Sequence, residues 1–391
     1  MLIGQRINVL GAGIAGLAAA RALAMRGASV TVLEEAEAIT EVGAGIQISP
    51  NGARVLRALG FGAVLDAAPR AAGVHLLDGC SGRIVTRLDM ARHRPLQEYR
   101  FVHRADLIAA LVEGARGAGV DIRLGVRIAS VRLDAPAPVL LTDAGVEIAS
   151  DLLVGADGLH SVVRSALNGR VVPRFTRQTA WRAVIPGDPS DRSVAEVHMG
   201  PRRHLVSYPL RSGTLRNIVA VVERGEWTEE SWSGRGDPAA LRAAFAGFSP
   251  RVRGWLDAVE NPGLWGLFLH PVAARWHGHR AVIIGDAAHP TLPFLAQGAN
   301  LALEDSWVLA DALAGHDTPE AAFAAFQAAR AARVTRTIEA AWSNARNYHL
   351  KGVRRLVGHA ALRVLGAVAP GAIPGRFDWL YGHDVTGGQG G

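Results

Sequence analysis

Two glycine-bearing turns, one near the start of the chain and one far along it, restrict the fold more than anything between them. Near the start, Arg6–Leu10 reads as a short apolar strand, Gly11-Ala12-Gly13-Ile14-Ala15-Gly16 follows, and Ile14–Met25 has helical periodicity. Ser29–Leu33 then reads as a second strand ending at Glu34. This is the size and order of a βαβ unit. In such a unit the first glycine permits a tight turn, the second lets a pyrophosphate approach, and the third lets helix and strand pack closely. Glu34 stands where an acid accepts hydrogen bonds from an adenosine ribose. A glycine triplet alone is a weak signal; strand, helix and acid in register specify a dinucleotide site.

The second turn lies far along the chain. An apolar strand through Val282–Ile284 delivers Gly285-Asp286, Pro290 and Pro293 stiffen the loop, and Gln297-Gly298-Ala299-Asn300 opens an apolar-periodic helix. A helix start of this kind offers free backbone N–H groups and a positive dipole end, suited to an anion or to a ring that becomes anionic. Together the two turns predict one dinucleotide held between distant segments.

The 391 residues allow two or three domains, and 49% hydrophobic content is ample for large cores. Cys80 is the only cysteine, which excludes an internal disulfide framework and a multi-cysteine zinc site and fits a reducing cytoplasm. No metal site is expected. The N-terminus runs straight into the nucleotide motif without a signal-peptide pattern, and no run of about 20 apolar residues predicts a membrane span. The net charge is +7, but the arginines are scattered rather than clustered, so no nucleic-acid partner is read from it. A mildly basic surface also suits a nicotinamide dinucleotide and a carboxylate substrate.

Residues 1–171 read as the first part of a nucleotide domain, with a short excursion into a second domain near 75–100. Residues 172–270 change texture: Trp181–Ile185, Val194–Met199, His204–Leu210 and Leu215–Val222 are strands at regular spacing, as in a mostly antiparallel sheet, with short helices at Pro238–Phe245 and Pro250–Val259. Residues 271–315 return to the nucleotide domain. Residues 316–391 form a helical region led by Pro319–Tyr348, with a glycine-rich tail at 387–391 expected to be disordered.

A third segment, Leu153-Val154-Gly155-Ala156-Asp157-Gly158-Leu159-His160-Ser161-Val162-Val163-Arg164, completes a pattern. With the glycine triplet and Gly285-Asp286, in this order over nearly the whole chain, it resembles the FAD-dependent aromatic hydroxylases of the 4-hydroxybenzoate hydroxylase fold. Lesser matches are Val42-Gly43-Ala44-Gly45-Ile46-Gln47-Ile48-Ser49-Pro50-Asn51, His103-Arg104-Ala105-Asp106-Leu107 and Asp378-Trp379-Leu380-Tyr381-Gly382. The first and last are most similar to the branch acting on salicylate, 3-hydroxybenzoate and 6-hydroxynicotinate. The resemblance implies an α/β protein: a discontinuous Rossmann-like FAD-binding domain, an inserted mostly antiparallel β-sheet substrate domain and a C-terminal helical region.

It also implies roles. Asp286 would hydrogen-bond the ribityl chain of FAD, and the backbone of Gly298, Ala299 and Asn300 would face the flavin pyrimidine edge. Arg104 would contact the phosphate or ribityl region, and Ile128 would touch adenine through its backbone. Asp157 would serve the flavin and nicotinamide region, or form a structural ion pair with Arg164. Ala15, Glu35, Ala44 and Pro293 complete the set assigned to the cofactor. No second glycine-rich βαβ unit is present, which fits a transient NADH or NADPH; the sequence does not choose between them.

On the substrate side, His204 and Tyr208 are four apart on a predicted strand and so share a face. Related hydroxylases carry a His and a Tyr at this spacing. The family's oxygen donor, a flavin C4a-hydroperoxide, attacks electron-rich rings, and removing a phenolic proton enriches the ring. His204 is the candidate base, with Tyr208 and Gln297 positioning the substrate and Gln47 a further substrate contact. A buried structural His–Tyr pair is the alternative. His289, beside the flavin loop, is read as structural. The expected activity is single-component hydroxylation of a phenolic or heteroaromatic acid with NAD(P)H and O2. The alternative is hydroxylation or epoxidation of a larger apolar molecule, such as a quinone precursor or polyketide. A homodimer is a further expectation.

Overall fold

In the computed structural model, which describes residues 2–39, 44–134, 136–225 and 234–387, the first strand takes the centre of a sheet. Arg6–Leu10 and Ser29–Leu33 bury apolar side chains at most positions, as strands covered by helices on both faces must. They pair in parallel, with Ile7 opposite Val30. Leu152–Gly155 pairs in parallel on the other side of Arg6–Leu10, and Ala281–Ile283 lies parallel beyond it. Asp121–Arg123 and the short antiparallel His277–Gly278 complete six strands. A segment near residue 281 therefore stands one strand away from the start of the chain.

The helix Ile14–Ala24 buries Ala18, Ala19, Ala20 and Ala22 completely, alongside Leu17 and Leu23. Small side chains let it lie close to the helix Gly298–Gly315, where Ser306 Oγ donates to the Ala15 carbonyl at 3.0 Å. Residues distant in sequence are thus locked together directly under the glycine turn.

The second sheet has seven strands in the order Gly263–Leu269, Arg174–Pro186, Leu215–Glu223, Arg203–Leu210, Val194–Gly200, Gly73–Asp78, Ile84–Asp89. All neighbours are antiparallel except Gly73–Asp78 with Val194–Gly200. Helices Pro238–Ala244 and Pro250–Asp257 cover one face through Phe245, Val252 and Leu256 against Trp181 and Leu205. The other face meets Leu292, Phe294 and Leu295 from the loop after Asp286, together with Ala341 and Ala345 of the helix Pro319–Tyr348. The cavity described below lies on this side.

The strand expected over Trp181–Ile185 is longer, running over Arg174–Pro186. Its polar first half and a bulge between Phe175 and Gln178 break the alternation that a strand otherwise displays. The helix Gly352–Val368 is separate from Pro319–Tyr348 and was not distinguished in the sequence. Its outward face carries Val353, Leu356, Val357, Val364 and Val368, all well exposed. Among the described residues no helix is long and apolar enough to cross a membrane. Val42 and Gly43 of the quoted motif, and residues 388–391 of the tail, lie outside the described residues.

Candidate active site

Three parallel strands deliver three loops to one edge of the six-stranded sheet: Gly11 onward, Ala156-Asp157 and Gly285-Asp286. A crevice beyond the carboxyl ends of parallel strands is where such sheets bind nucleotides. The three glycines of the first loop meet different demands. Gly11 has φ +100°, and a Cβ there would stand 2.6 Å from the Ala156 carbonyl oxygen. A Cβ on Gly16 would lie 1.9 Å from the Gly11 carbonyl oxygen, so helix and turn touch backbone to backbone. Gly13 faces open space, with nothing within 4 Å of a built Cβ. That is the opening a pyrophosphate needs. Glu34 holds the turn from the next strand, accepting from the Ala12 N–H at 2.6 Å and from Ala36 N–H at 3.0 Å.

Asp286 is open to the cleft although protein surrounds it, and this enclosure pushes its carboxyl up, against the pull of His289 and Arg104. Arg104 opens the helix Arg104–Gly117, and its N–H donates to the Ala44 carbonyl at 2.8 Å. The helix Gly298–Gly315 starts nearby with no side chain capping its N-terminus and no acid in its first turn. Its first N–H groups and dipole remain available to a ligand. The Asn300 side chain is engaged with backbone, accepting from Ser49 N–H and donating to the Gln47 and Ala296 carbonyls.

A buried ionic cluster fixes that helix. Arg330 donates to Asp305 at 2.8 Å and to Glu304 at 2.5 Å, and Arg333 donates twice to Glu304. Asp305 in turn accepts from the Gly285 N–H at 3.0 Å and contacts His289 at 2.5 Å. The charges that anchor the helix thereby also hold the Gly285-Asp286 turn.

A cavity of about 470 Å³ lies between the seven-stranded sheet, the Pro293–Ala296 segment and the C-terminal helices. Val197, Val206, Phe294 and Leu362 make much of its wall; Gln47, His204, Asn344 and Asn347 supply polar atoms. His204 is buried, and its Nδ1 lies 2.7 Å from His349 Nε2. Burial, with His349 close by, holds His204 well below the ordinary histidine range, so it stands neutral near pH 7. Gln47 Oε1 accepts from the Tyr99 hydroxyl at 2.8 Å.

Set against known proteins, this chain matches a family described as FAD binding domain over residues 5–341. The chain belongs to the FAD-dependent aromatic hydroxylases. It is 35% identical to 3-hydroxybenzoate 6-hydroxylase of Polaromonas naphthalenivorans, covering 97% of this chain and 96% of the relative. It is 38% identical to 3-amino-4-hydroxybenzoate 2-monooxygenase of Streptomyces platensis, covering 80% of each. Among solved structures, an HpxO variant of Klebsiella pneumoniae complexed with FAD superimposes with TM-score 0.83 at 25% identity, over 96% of this chain and 98% of the other. A salicylate hydroxylase substrate complex shares the fold, with TM-score 0.80 at 23% identity over 97% and 96%.

The hydroxylase is an FAD enzyme, and its cleft fits that cofactor on three observations: the open face of Gly13, the cleft-facing carboxylate of Asp286 and the uncapped helix start at Gly298. Gly11, Gly13, Ala15, Gly16, Glu34 and Asp286 come together at this edge, with Ala15 only 3.0 Å from where a Gly285 Cβ would be. Ala44 and Arg104 meet through a backbone hydrogen bond, and Gly298, Ala299 and Asn300 form the helix start. Pro293 lines the cavity. Ile128 begins the strand Ile128–Arg132, close to Glu34, whose carbonyl accepts from Val126 N–H; Glu35 faces Arg127 at the exposed rim. Asp157 binds Ser161 Oγ and the N–H groups of Val162 and Val163, while Arg164 donates to the carbonyls of Ala287, Ala288 and Pro271. The Asp157–Arg164 ion pair offered as an alternative is thus not formed; both residues brace loops of the cleft.

Two expected substrate contacts do not line the cavity. Tyr208 stacks on Phe101 with ring centroids 5.0 Å apart; burial pushes its hydroxyl up, opposed by Arg182 and by a hydrogen bond with Gln47. Gln297 is buried, donating to Ser49 Oγ at 3.0 Å and accepting from Asn51 Nδ2 at 3.2 Å. His289 contacts Asp305, in keeping with a structural part. The sequence reading missed His349, Tyr99, Asn51 and the Glu304–Asp305–Arg330–Arg333 cluster. A signal existed for the cluster alone: two adjacent acids inside an apolar helix demand buried cations.

Proposed function

We propose that the hydroxylase inserts one oxygen atom of O2 into a phenolic aromatic acid, with NADH or NADPH as reductant, in the cytoplasm and as a homodimer. The relatives named for 3-hydroxybenzoate and 3-amino-4-hydroxybenzoate favour a small hydroxylated acid over a bulky apolar substrate. One observation carries the reading: a neutral, buried imidazole, His204, stands in the wall of an apolar cavity adjoining the FAD loop. Bound FAD supplies the redox chemistry and the activated oxygen. The protein orients the ring and takes a proton. His204 accepts the hydrogen of the substrate hydroxyl, which makes the ring more nucleophilic. Gln47, steadied by Tyr99 and Tyr208, offers its amide to a substrate oxygen. The apolar wall excludes water, which protects reactive oxygen from wasteful decay. Exposed valines and leucines on Gly352–Val368 support the dimer.

The test is turnover of monohydroxylated benzoates by the FAD-loaded enzyme and its His204→Asn variant. The variant retains flavin and loses about 10²-fold or more in kcat, in line with a positioned acid–base group. Wild-type enzyme that oxidises NADH and NADPH no faster with any such acid overturns the substrate class. Equal turnover by the variant removes His204 from the chemistry.

A further inference from the structure

His204 does not end in the cavity wall. Behind it, His204 Nδ1 meets His349 Nε2 at 2.7 Å, and His349 Nδ1 meets Glu223 Oε1 at 3.1 Å. The second carboxylate oxygen of Glu223 accepts from Arg202 Nε at 3.0 Å. The His349 side chain is 3% exposed and that of Glu223 33%, so the row runs from the cavity to solvent. Three separate elements supply it: the strand Arg203–Leu210, the residue that ends the helix Pro319–Tyr348, and the last residue of the strand Leu215–Glu223. Backbone holds them in line, with Arg202 N–H donating to the His349 carbonyl and Glu223 N–H to the Arg202 carbonyl. Phe294 and Tyr348 flank the His204 ring at 5.7 and 5.2 Å, which limits its rotation.

We propose that His349 and Glu223 form a proton relay that carries the substrate hydroxyl proton from His204 to solvent and returns it after oxygen transfer. This rests on the reading of His204 as the base for a phenolic substrate. In the outward pass, the substrate O–H bond breaks and the proton binds His204 Nε2. The proton on His204 Nδ1 moves to His349 Nε2, and the proton on His349 Nδ1 moves to Glu223. The products are a phenolate and a neutral carboxylic acid, so total charge is unchanged and both imidazoles remain neutral with their tautomers exchanged. Reprotonation of the product oxygen runs the same transfers backward and restores the starting tautomers.

Physical chemistry favours the relay over a proton parked on His204. A lone imidazolium would have to sit in an apolar wall, which desolvation opposes. Burial pushes His349 down, Glu223 pulls it up, and Arg203 opposes a full positive charge there. Glu223 is the first group in the row that water reaches.

The test uses FAD-loaded enzyme in single turnovers with a hydroxybenzoate that the wild type hydroxylates. Glu223→Gln keeps an acceptor oxygen for His349 but cannot take the proton. We expect its hydroxylation rate to fall by at least about 10-fold with substrate affinity little changed, a modest share of what positioned proton transfer contributes. In mixtures of light and heavy water, the wild-type rate should bow downward, showing several protons in motion, and the variant should give a straight line. Glu223→Ala should recover rate on adding formate or imidazole, whereas Glu223→Asp should be closer to wild type. A variant with wild-type rate and an unchanged bow refutes the relay while leaving His204 as base. Loss of rate that neither added acceptor restores, with the bow intact, assigns the row to structure and also refutes it. If wild type hydroxylates no phenolic acid, the underlying reading has failed and the relay falls with it.

Discussion

Arg330→Met removes the guanidinium that bridges Glu304 and Asp305, and the structure sets the scale of the loss. Burial pushes Asp305 up, but His289 and Arg330 outweigh it and hold the carboxyl down, from an ordinary 3.8 to about 2. At about 1.4 kcal/mol per pH unit, that depression corresponds to about 2 kcal/mol of stability. Because the folded value is the lower one, this stabilisation is complete above the unfolded value near 3.8 and drains away as pH falls toward 2. Removing one partner of a buried pair costs roughly 3–5 kcal/mol, since the charge left behind is unpaired. We expect the lower end, about 3 kcal/mol, because Arg333 and Asn51 still hold Glu304 and His289 still faces Asp305. Without Arg330 the enclosed carboxyls take up protons more readily, so the deficit should be larger near pH 7 than near pH 5. Urea unfolding followed by circular dichroism at both pH values measures it. A deficit below about 1 kcal/mol near pH 7, the ordinary size for unremarkable substitutions, would refute the reasoning. So would a deficit that grows toward acid.

Gly16→Ala places a methyl group 1.9 Å from the Gly11 carbonyl oxygen, so helix and turn must separate. The purified variant should be colourless or lose its flavin on gel filtration; a yellow protein with wild-type FAD content contradicts the packing argument. Leu356→Glu combined with Val364→Glu charges the exposed face of the helix Gly352–Val368. If that face joins two copies, sedimentation equilibrium will show wild-type dimers and a monomeric variant, and a variant that still dimerises moves the interface elsewhere.

The nucleotide half was legible because its chemistry is local. Gly11, Gly16 and Glu34 act within one βαβ unit, where spacing along the chain is spacing in space. Strand parity likewise put His204 and Tyr208 on one face, but parity does not say what lies opposite. Phe101 stacks on Tyr208 and Gln47 lines the cavity, and these residues arrive from two paired strands more than a hundred positions earlier. Gln297 reads as a substrate contact in the sequence; in the structure its amide engages Ser49 and Asn51. His349 was invisible for the same reason. It follows a long Ala- and Arg-rich helix, and only the packing of that helix on the sheet turns its ring toward His204.

The interleaving of the two sheets governs how this polypeptide must be made. Arg6–Leu10 emerges early from the ribosome, yet its neighbour Leu152–Gly155 comes much later and Ala281–Ile283 later still. The other sheet takes Gly73–Asp78 from before that neighbour and Gly263–Leu269 from after it. The seven-stranded sheet is complete only at Leu269 and the six-stranded one only at Ile283, so half-synthesised chains expose unpaired strand edges in both. Exposed edges of this kind invite aggregation during synthesis, and a fragment ending at residue 171 leaves both sheets short of strands.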